Sequence, residues 1–359
     1  MLHALIMAGG GGTRFWPRSR ASRPKQFLTL AGDQSLLQQS FERLESQVEL
    51  ANTWIMTSAR HRDEVLKQLP HLLPERVIGE PIGRDTAPCI GLGAALISQT
   101  DPDAIMLVTP ADHVIEPTES FRRAIRAATL AIEQQPDALV TLGIPPTHAA
   151  TGYGYIRRGS KVGEFAGIAV SRVDAFREKP SAEIAQQYLT EGSYYWNAGI
   201  FVWKASTVLA ELRRNKPKLA EGVERLAAAW PTPERDRSLS EIYPNLERIS
   251  IDYAIMEPAK TALVLEAPFR WDDVGSWLAM ERLQAQDADG NTVQAKHCGI
   301  GTRNCIIVGD KDRLIATANV RDLLIIQDGD ALLIADRHDE AAVKKLVEQL
   351  GKTGLERFL

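Results

Sequence analysis

The stretch Leu5–Leu28, LIMAGGGGTRFWPRSRASRPKQFL, decides how the rest of the chain is read. Leu5, Ile6, Met7 and Ala8 form a continuous apolar run, the pattern of a short strand buried on both faces. It stops at Gly9, Gly10, Gly11 and Gly12. Four glycines remove every Cβ, so consecutive backbone N–H groups can curl around an anion such as a polyphosphate. Thr13 and Arg14 follow at once and Lys25 a little later, placing two cations within reach of the same anion. Spacing excludes two common phosphate motifs. A Walker loop needs a lysine directly after its last glycine, and none is there. The dinucleotide fingerprint Gly-x-Gly-x-x-Gly would require glycine where Arg14 or Phe15 stands.

Working outward, the chain has 359 residues, enough for two domains, with 44% hydrophobic and 25% charged residues, ordinary values that permit a sizeable core. A net charge of -4 supplies no basic field for nucleic acid. Cys89, Cys298 and Cys305 are scattered in no metal-ligand spacing and fit free thiols in a reducing compartment. With no signal peptide and no apolar stretch long enough for a bilayer, a soluble cytoplasmic protein is expected. A homodimer is compatible with the chain.

The first part alternates strand-like and helix-like segments. Strands are expected at Leu2–Ala8, Trp54–Met56, Ala104–Val108 and Leu139–Leu142, with helices over Leu36–Leu44, Ala87–Ile97 and Phe121–Ile132. This rhythm argues for a doubly wound α/β sheet, mixed but mainly parallel and Rossmann-like, with its site at the carboxyl ends of the strands. Beyond Ile144, short strands near Tyr155–Ile156, Val170–Phe176 and Gly199–Trp203 alternate with helices at Ala182–Tyr188 and Ala205–Arg213. Pro231–Arg237 reads as a polar surface loop, and Asp287–Asn291 as a linker. Short β segments follow at Cys305–Val308, Leu314–Ala316, Leu323–Gln327 and Ala331–Ile334, then an amphipathic helix over Glu340–Leu350. The expected domains are 1–287 and a small C-terminal β domain, 288–359.

Several motifs carry chemistry. Asp112, in Thr109-Pro110-Ala111-Asp112-His113, puts a carboxylate just past a buried strand, and Asp273 lies in Trp271-Asp272-Asp273-Val274-Gly275-Ser276-Trp277. Magnesium on a nucleotide needs only one or two protein carboxylates, because phosphate oxygens and water complete its octahedron. His113 is an unusual donor for that ion. In Glu80-Pro81-Ile82-Gly83-Arg84-Asp85-Thr86, Arg84 can meet phosphate and the next helix opens with an electropositive N-terminus, which Asp85 or Thr86 can instead simply cap. Gly152-Tyr153-Gly154-Tyr155 lets backbone approach a sugar ring beside aromatic walls. Glu178-Lys179 offers a carboxylate for hydroxyls and an ammonium for a phosphate, and Asn197 offers an amide.

The run GGGGTRFWPRSRASRPKQFL resembles the signature loop of the sugar-phosphate nucleotidyltransferases, and Phe15-Trp16-Pro17 with Pro24-Lys25-Gln26-Phe27 is similar to their mannose-1-phosphate guanylyltransferase branch. The resemblance covers nearly the whole chain. It implies transfer of GMP from GTP to α-D-mannose 1-phosphate, with Mg2+ on Asp112 and Asp273 and with Arg14 and Lys25 as catalytic cations. It assigns Ala8, Gly9, Gly10, Gly11, Gly12, Thr13, Glu80, Arg84, Asp85, Thr86, Pro110 and Asp112 to the nucleotide. Gly152, Tyr153, Glu178, Lys179, Asn197 and Asp252, the last in Ile251-Asp252-Tyr253, are assigned to the sugar phosphate. Position 85 is usually asparagine in the family, and Asp85 cannot donate as that amide does. The resemblance also implies a short left-handed β-helix at the C-terminus. No isomerase-like domain follows it, so the chain is expected not to resemble the long bifunctional relatives.

Overall fold

The structure, a computed structural model, describes residues 1–10 and 12–359, so the expectation for Gly11 lies outside the described residues. The chain forms two compact units, and neither is a continuous stretch of sequence. The first gathers Met1–Gly9, Ser40–Ala111 and Ile115–Trp271; the second gathers Gly10–Gln39, Asp112–Val114 and Asp272–Leu359.

The first unit is a nine-stranded sheet flanked by helices. Its centre is made of the apolar runs legible in the sequence. Leu2–Ala8 lies between Thr53–Ser58 and Ile105–Pro110, parallel to both, with Ala4, Leu5 and Ile6 fully buried. Val77–Glu80 extends that parallel half beyond Thr53–Ser58. Tyr194–Lys204 then runs antiparallel between Ile105–Pro110 and Leu139–Ile144, and Ala262–Glu266 pairs parallel with the latter. The helix Thr86–Thr100 rides close on this sheet because it is built from small residues. A Cβ on Gly93 would lie 2.8 Å from Leu5 Cδ2, and one on Gly91 3.0 Å from Leu212 Cδ1.

Several segments differ from the sequence expectation. The Gly199–Trp203 strand begins earlier, at Tyr194, and a helix spans Pro217–Ala229 where none is expected. The strands near Tyr155 and Val170 are much longer, Gly154–Phe165 and Ile168–Glu178, and join through Ala166–Gly167, both at positive φ. That turn twists with its strands, while the outer half of the hairpin is polar and exposed, so apolar alternation could not mark it. Inside the expected 231–237 loop a helix, Arg235–Ile242, begins. Its surface is held by an Arg237–Glu241 pair at 2.9 Å, and only Leu239 and Ile242 supply apolar periodicity.

The second unit contains a β-helix-like stack. Thr292–Gln294, Ile306–Val308 and Leu323–Asp328 stack in parallel, and Lys296–Ile300 with Leu314–Ala318 forms a second parallel face. Ala331–Asp336 closes the first face antiparallel. Corners repeat one coil apart: Gly301 and Asn319, then Asn304 and Asp322, all at positive φ, where glycine, asparagine and aspartate are tolerated best. The Asp287–Asn291 segment is an ordered turn. Asp287 Oδ1 accepts from the backbone N–H groups of Asp289 and Asn291, and Asn291 Oδ1 accepts from Cys305 N at 2.9 Å.

The signature loop belongs to this second core. Phe15, Trp16, Leu28 and Leu30 are buried with Trp277, Ile306, Val308, Leu324, Ile326 and Val343. At about 1.5–3 kcal/mol for each large apolar side chain buried, the loop's underside is a substantial part of the unit's stability. Polar ties fix its course: Trp16 Nε1 donates to Phe358 O at 2.8 Å, Trp277 Nε1 to Trp16 O at 3.1 Å, and Arg20 Nη2 to Asp330 Oδ1 at 2.6 Å.

Candidate active site

In the second unit, Gly10 and Gly12 adopt φ of 117° and 50°. At Gly12 the choice of residue is forced twice: the φ is left-handed, and a Cβ would stand 2.6 Å from Lys25 N and 2.7 Å from Lys25 Cβ. The glycine therefore lets the loop close upon the turn that carries Lys25. Thr13 and Arg14 are exposed on a short 3-10 turn pinned by buried Phe15.

Lys25 opens another 3-10 turn, Lys25–Phe27, after Pro24. Its ammonium is nearly buried, donating to Asp112 Oδ2 at 2.9 Å and to the main-chain carbonyl of Asp273. One cation thus joins the two aspartate segments that the sequence singles out. Burial would raise the Asp112 pKa, but Lys25 and His113 (Nε2 at 3.8 Å) outweigh it and hold the carboxyl below its ordinary value. Asp272 and Asp273 do different work. Asp272 accepts from Val274 N at 2.7 Å and is clasped by Arg282, an arrangement that holds the turn. A Cβ on Gly275 would meet Asp273 Oδ2 at 3.1 Å, so glycine leaves room for that carboxylate.

Among the described residues no group of three or more histidine, cysteine or acidic side chains converges as a metal cluster. The donor set of Asp112 and Asp273 nevertheless fits a hard cation that arrives with phosphate oxygens, since Asp112 is held anionic.

In the first unit, Ala8 ends its strand and Glu80 ends Val77–Glu80. A Cβ on Gly9 would sit 3.4 Å from Glu80 Oε2. Glu80 is 6% exposed and accepts from Tyr243 Oη. Burial pushes its pKa up to about 7, against the lowering effect of that hydrogen bond. Asp85, at φ 67°, accepts from Thr86 N at 2.9 Å and caps the helix Thr86–Thr100. Thr86 Oγ1 accepts from Ile251 N at 2.8 Å. Arg84 Nε is buried with no hydrogen-bond partner. Pro110 ends Ile105–Pro110, with Gly199 close against it.

The middle-third residues also converge in the first unit, brought together by strand register. Gly154 pairs with Glu178, and Gly143 with Asn197. A Cβ on Gly154 would lie 2.5 Å from Glu178 Oε2, so this glycine makes space for the carboxylate. Asn197 Oδ1 accepts from Thr141 Oγ1 and Gly199 N, both at 3.1 Å, while Nδ2 donates to Asp252 Oδ1 at 2.9 Å. Only one N–H of that amide remains for a ligand. Lys179, at φ 47°, pairs with Glu178 at 3.0 Å, and that hydrogen bond raises its pKa. Burial and then the charge of Glu178 push Asp252 up to about 7. Tyr153 packs edge-on against Trp196 at 5.1 Å and Trp271 at 5.3 Å, forming an aromatic wall; Gly152 lies just before it in an exposed bend.

Sequence reasoning missed Tyr243 and Thr141, which orient Glu80 and Asn197. Nothing near either residue in sequence marks it. Trp271 could have been found, because it opens the same motif that contains Asp273.

Comparison with known proteins identifies the family. The family described as Nucleotidyl transferase matches residues 3–290, and the MannoseP isomerase/GMP-like beta-helix domain matches residues 295–350. The mannose-1-phosphate guanylyltransferase of Escherichia coli strain K12 is 39% identical over 98% of this chain and 74% of its own length. Mannose-1-phosphate guanylyltransferase ManC of Salmonella typhimurium LT2 is 40% identical, with 98% and 74% covered. A crystal structure from Thermus thermophilus, described as a mannose-1-phosphate geranyltransferase, superposes with a TM-score of 0.85 at 35% identity, covering 98% of this chain and 99% of that one. Among the described residues no helix is long and apolar enough to cross a membrane. Sequence, fold and family matches agree that the chain belongs to the sugar-phosphate nucleotidyltransferase family, where its relatives include mannose-1-phosphate guanylyltransferases.

Proposed function

We propose that the protein transfers GMP from GTP to α-D-mannose 1-phosphate, releasing pyrophosphate and forming GDP-mannose. The observation that carries the reading is the Lys25 ammonium bonded at once to the Asp112 carboxylate and the Asp273 carbonyl, beside a loop of glycines at positive φ. The names of the relatives supply the sugar and the base.

The nucleophile is a sugar-phosphate oxygen with a second pKa near ~6, ionised at neutral pH without an enzyme base. A P–O bond forms to the α-phosphorus in line with the departing oxygen, whose bond to that phosphorus breaks, and the electron pair leaves with pyrophosphate. The obstacle is repulsion between a dianion and a triphosphate, so catalysis is positioning plus charge stabilisation. The Gly9–Gly12 amides and Arg14 hold the β,γ-phosphates. Lys25 screens the α-phosphate, and Lys179 holds the incoming phosphate. Asp112 and Asp273 would hold a magnesium ion, whose charge neutralises phosphate oxygens when it is bound. Glu178, Asn197 and Asp252 receive sugar hydroxyls.

Glu80 is the residue we assign to guanine. A carboxylate can accept the parallel N1–H and N2–H groups that guanine presents and adenine lacks. Because its folded pKa of about 7 lies above the ordinary value of 4.5, ionised Glu80 burdens the empty protein. Its stability contribution is fully present below pH 4.5 and is lost as pH rises through 7, a penalty of order ~3 kcal/mol. Glu80→Gln should therefore narrow the fall in stability between pH 5 and 8, measured by urea denaturation. The KM for GTP should drop from pH 6 to 8 in the parent and stay flat in the variant. A parent KM that rose over that range would remove Glu80 from base recognition.

The test of the whole reading is pyrophosphate release over all pairs of nucleoside triphosphate and sugar 1-phosphate with magnesium present. GTP with mannose 1-phosphate should give the highest kcat/KM; a higher value for dTTP or UTP with glucose 1-phosphate would overturn it.

A further inference from the structure

The second unit holds a cleft of about 700 Å³ that the proposed reaction does not use. It is lined by Arg18 of the signature loop, by Thr29 just after that loop, and by Gln294, Lys296 and Lys311 of the β-helix-like coils. Its volume lies within the range of small-molecule sites and far exceeds that of a bare ion.

Among the described residues two buried polar atoms of the lining side chains lack hydrogen-bond partners: Arg18 Nε, a donor, and Gln294 Oε1, an acceptor. Such atoms are rare in a folded chain, and each costs about 1–3 kcal/mol if left unsatisfied. Arg18 donates from Nη2 to Gly309 O at 3.3 Å; among the described residues it makes no ion pair within 4 Å, although the charges of Asp328 and Asp310 act on it. Among the described residues Lys296 and Lys311 make no ion pair either. Two carboxylates also line the cleft, Asp33 and Asp310. Asp310 is already committed, with Oδ2 accepting from Gln327 Nε2 and Gly329 N, each at 3.0 Å. Hydrogen bonds from neutral donors leave Asp310 anionic, and it acts with Asp328 on Arg18, so three cations line the cleft against two carboxylates, an excess of one positive charge.

We propose that this cleft is a second binding site, distinct from the catalytic residues, for a phosphorylated sugar or nucleotide. The phosphate lies against Arg18, Lys296 and Lys311, and a ring hydroxyl or amino group of the same ligand donates to Gln294 Oε1. The bare phosphate ion satisfies only the first half of this arrangement. Because Arg18 stands between Gly12 and Lys25 on the signature loop, an occupant ties that loop to the coils.

The test is isothermal titration of the full chain with three probes in turn: mannose 1-phosphate, GMP and inorganic phosphate. At least one organic probe should show two sites per chain. The exposed double variant Lys296→Glu/Lys311→Glu should keep the parent Tm and weaken one of those sites at least tenfold while leaving the other unchanged. Gln294→Leu should weaken the same site for the organic probe and not for inorganic phosphate. One site per chain for both organic probes, or a second site indifferent to the charge reversal, would overturn the proposal.

Discussion

Lys25→Ala is expected to lower kcat by about 10²–10³, or roughly 3–4 kcal/mol of transition-state stabilisation, with a much smaller change in KM for either substrate. Its ammonium is bonded to both aspartate segments, so the variant loses charge and register together. Burial continues to act on Asp112 after its counter-charge is gone, and its pKa should rise from the depressed value it now has. Magnesium dependence should therefore shift toward higher concentration and higher pH in Lys25→Ala. Asp112→Asn should be similarly crippled, and the double variant little worse than either single one, because the two groups act as a unit. The measurement is pyrophosphate release against magnesium concentration, with Tm to verify folding. A folded Lys25→Ala protein turning over within threefold of the parent would end this assignment.

Gly12→Ala is the second large effect. Left-handed φ costs an L-residue about 1–2 kcal/mol, but the contact matters more. The new methyl would stand 2.6 Å from a backbone nitrogen, which cannot swing aside as a flexible side-chain tip can. Either the glycine loop or the Lys25 turn must move by a substantial part of an ångström, and misplacement by about 1 Å can cost 10²-fold in rate. Gly10→Ala is the internal control: its φ is also positive, yet nothing lies within 4 Å of its added methyl. Gly12→Ala should fall by about 10²-fold in kcat and Gly10→Ala by clearly less. Equal effects would mean that strain alone, and not the approach to Lys25, makes Gly12 necessary.

The parallel half of the sheet was legible because Leu2–Ala8 and Ala104–Val108 are buried on both faces, and burial writes itself as continuous apolar sequence. The helix Glu340–Leu350 was legible from its one apolar face. Less visible were features fixed by register or by distant partners. The outer hairpin around Ala166–Gly167 is polar, and the helix Arg235–Ile242 packs on the core through only Leu239 and Ile242. Among candidate site residues, the motifs located Lys25, Asp112 and Asp273, but spacing alone could not show that a single ammonium joins two segments so far apart. Nor could it show that Asp85 caps its own helix, or that Asn197 has only one N–H left. Those facts depend on what each polar atom has already bonded, which is a property of the folded chain.

The shared core of the signature loop and the coils also has a consequence for synthesis. The ribosome delivers Gly10–Gln39 early, but apart from Ala31, Leu36 and Val114 the side chains clustered with Phe15, Trp16, Leu28 and Leu30 lie beyond Asp272. At about 5–20 residues per second, those four apolar groups wait for ~10–50 s before most of their partners emerge. During that interval the sheet of the first unit can assemble while the loop remains exposed to chaperones and to other nascent chains. Translation thus brings the glycine-rich loop to its folded shape last, although it is among the first parts made.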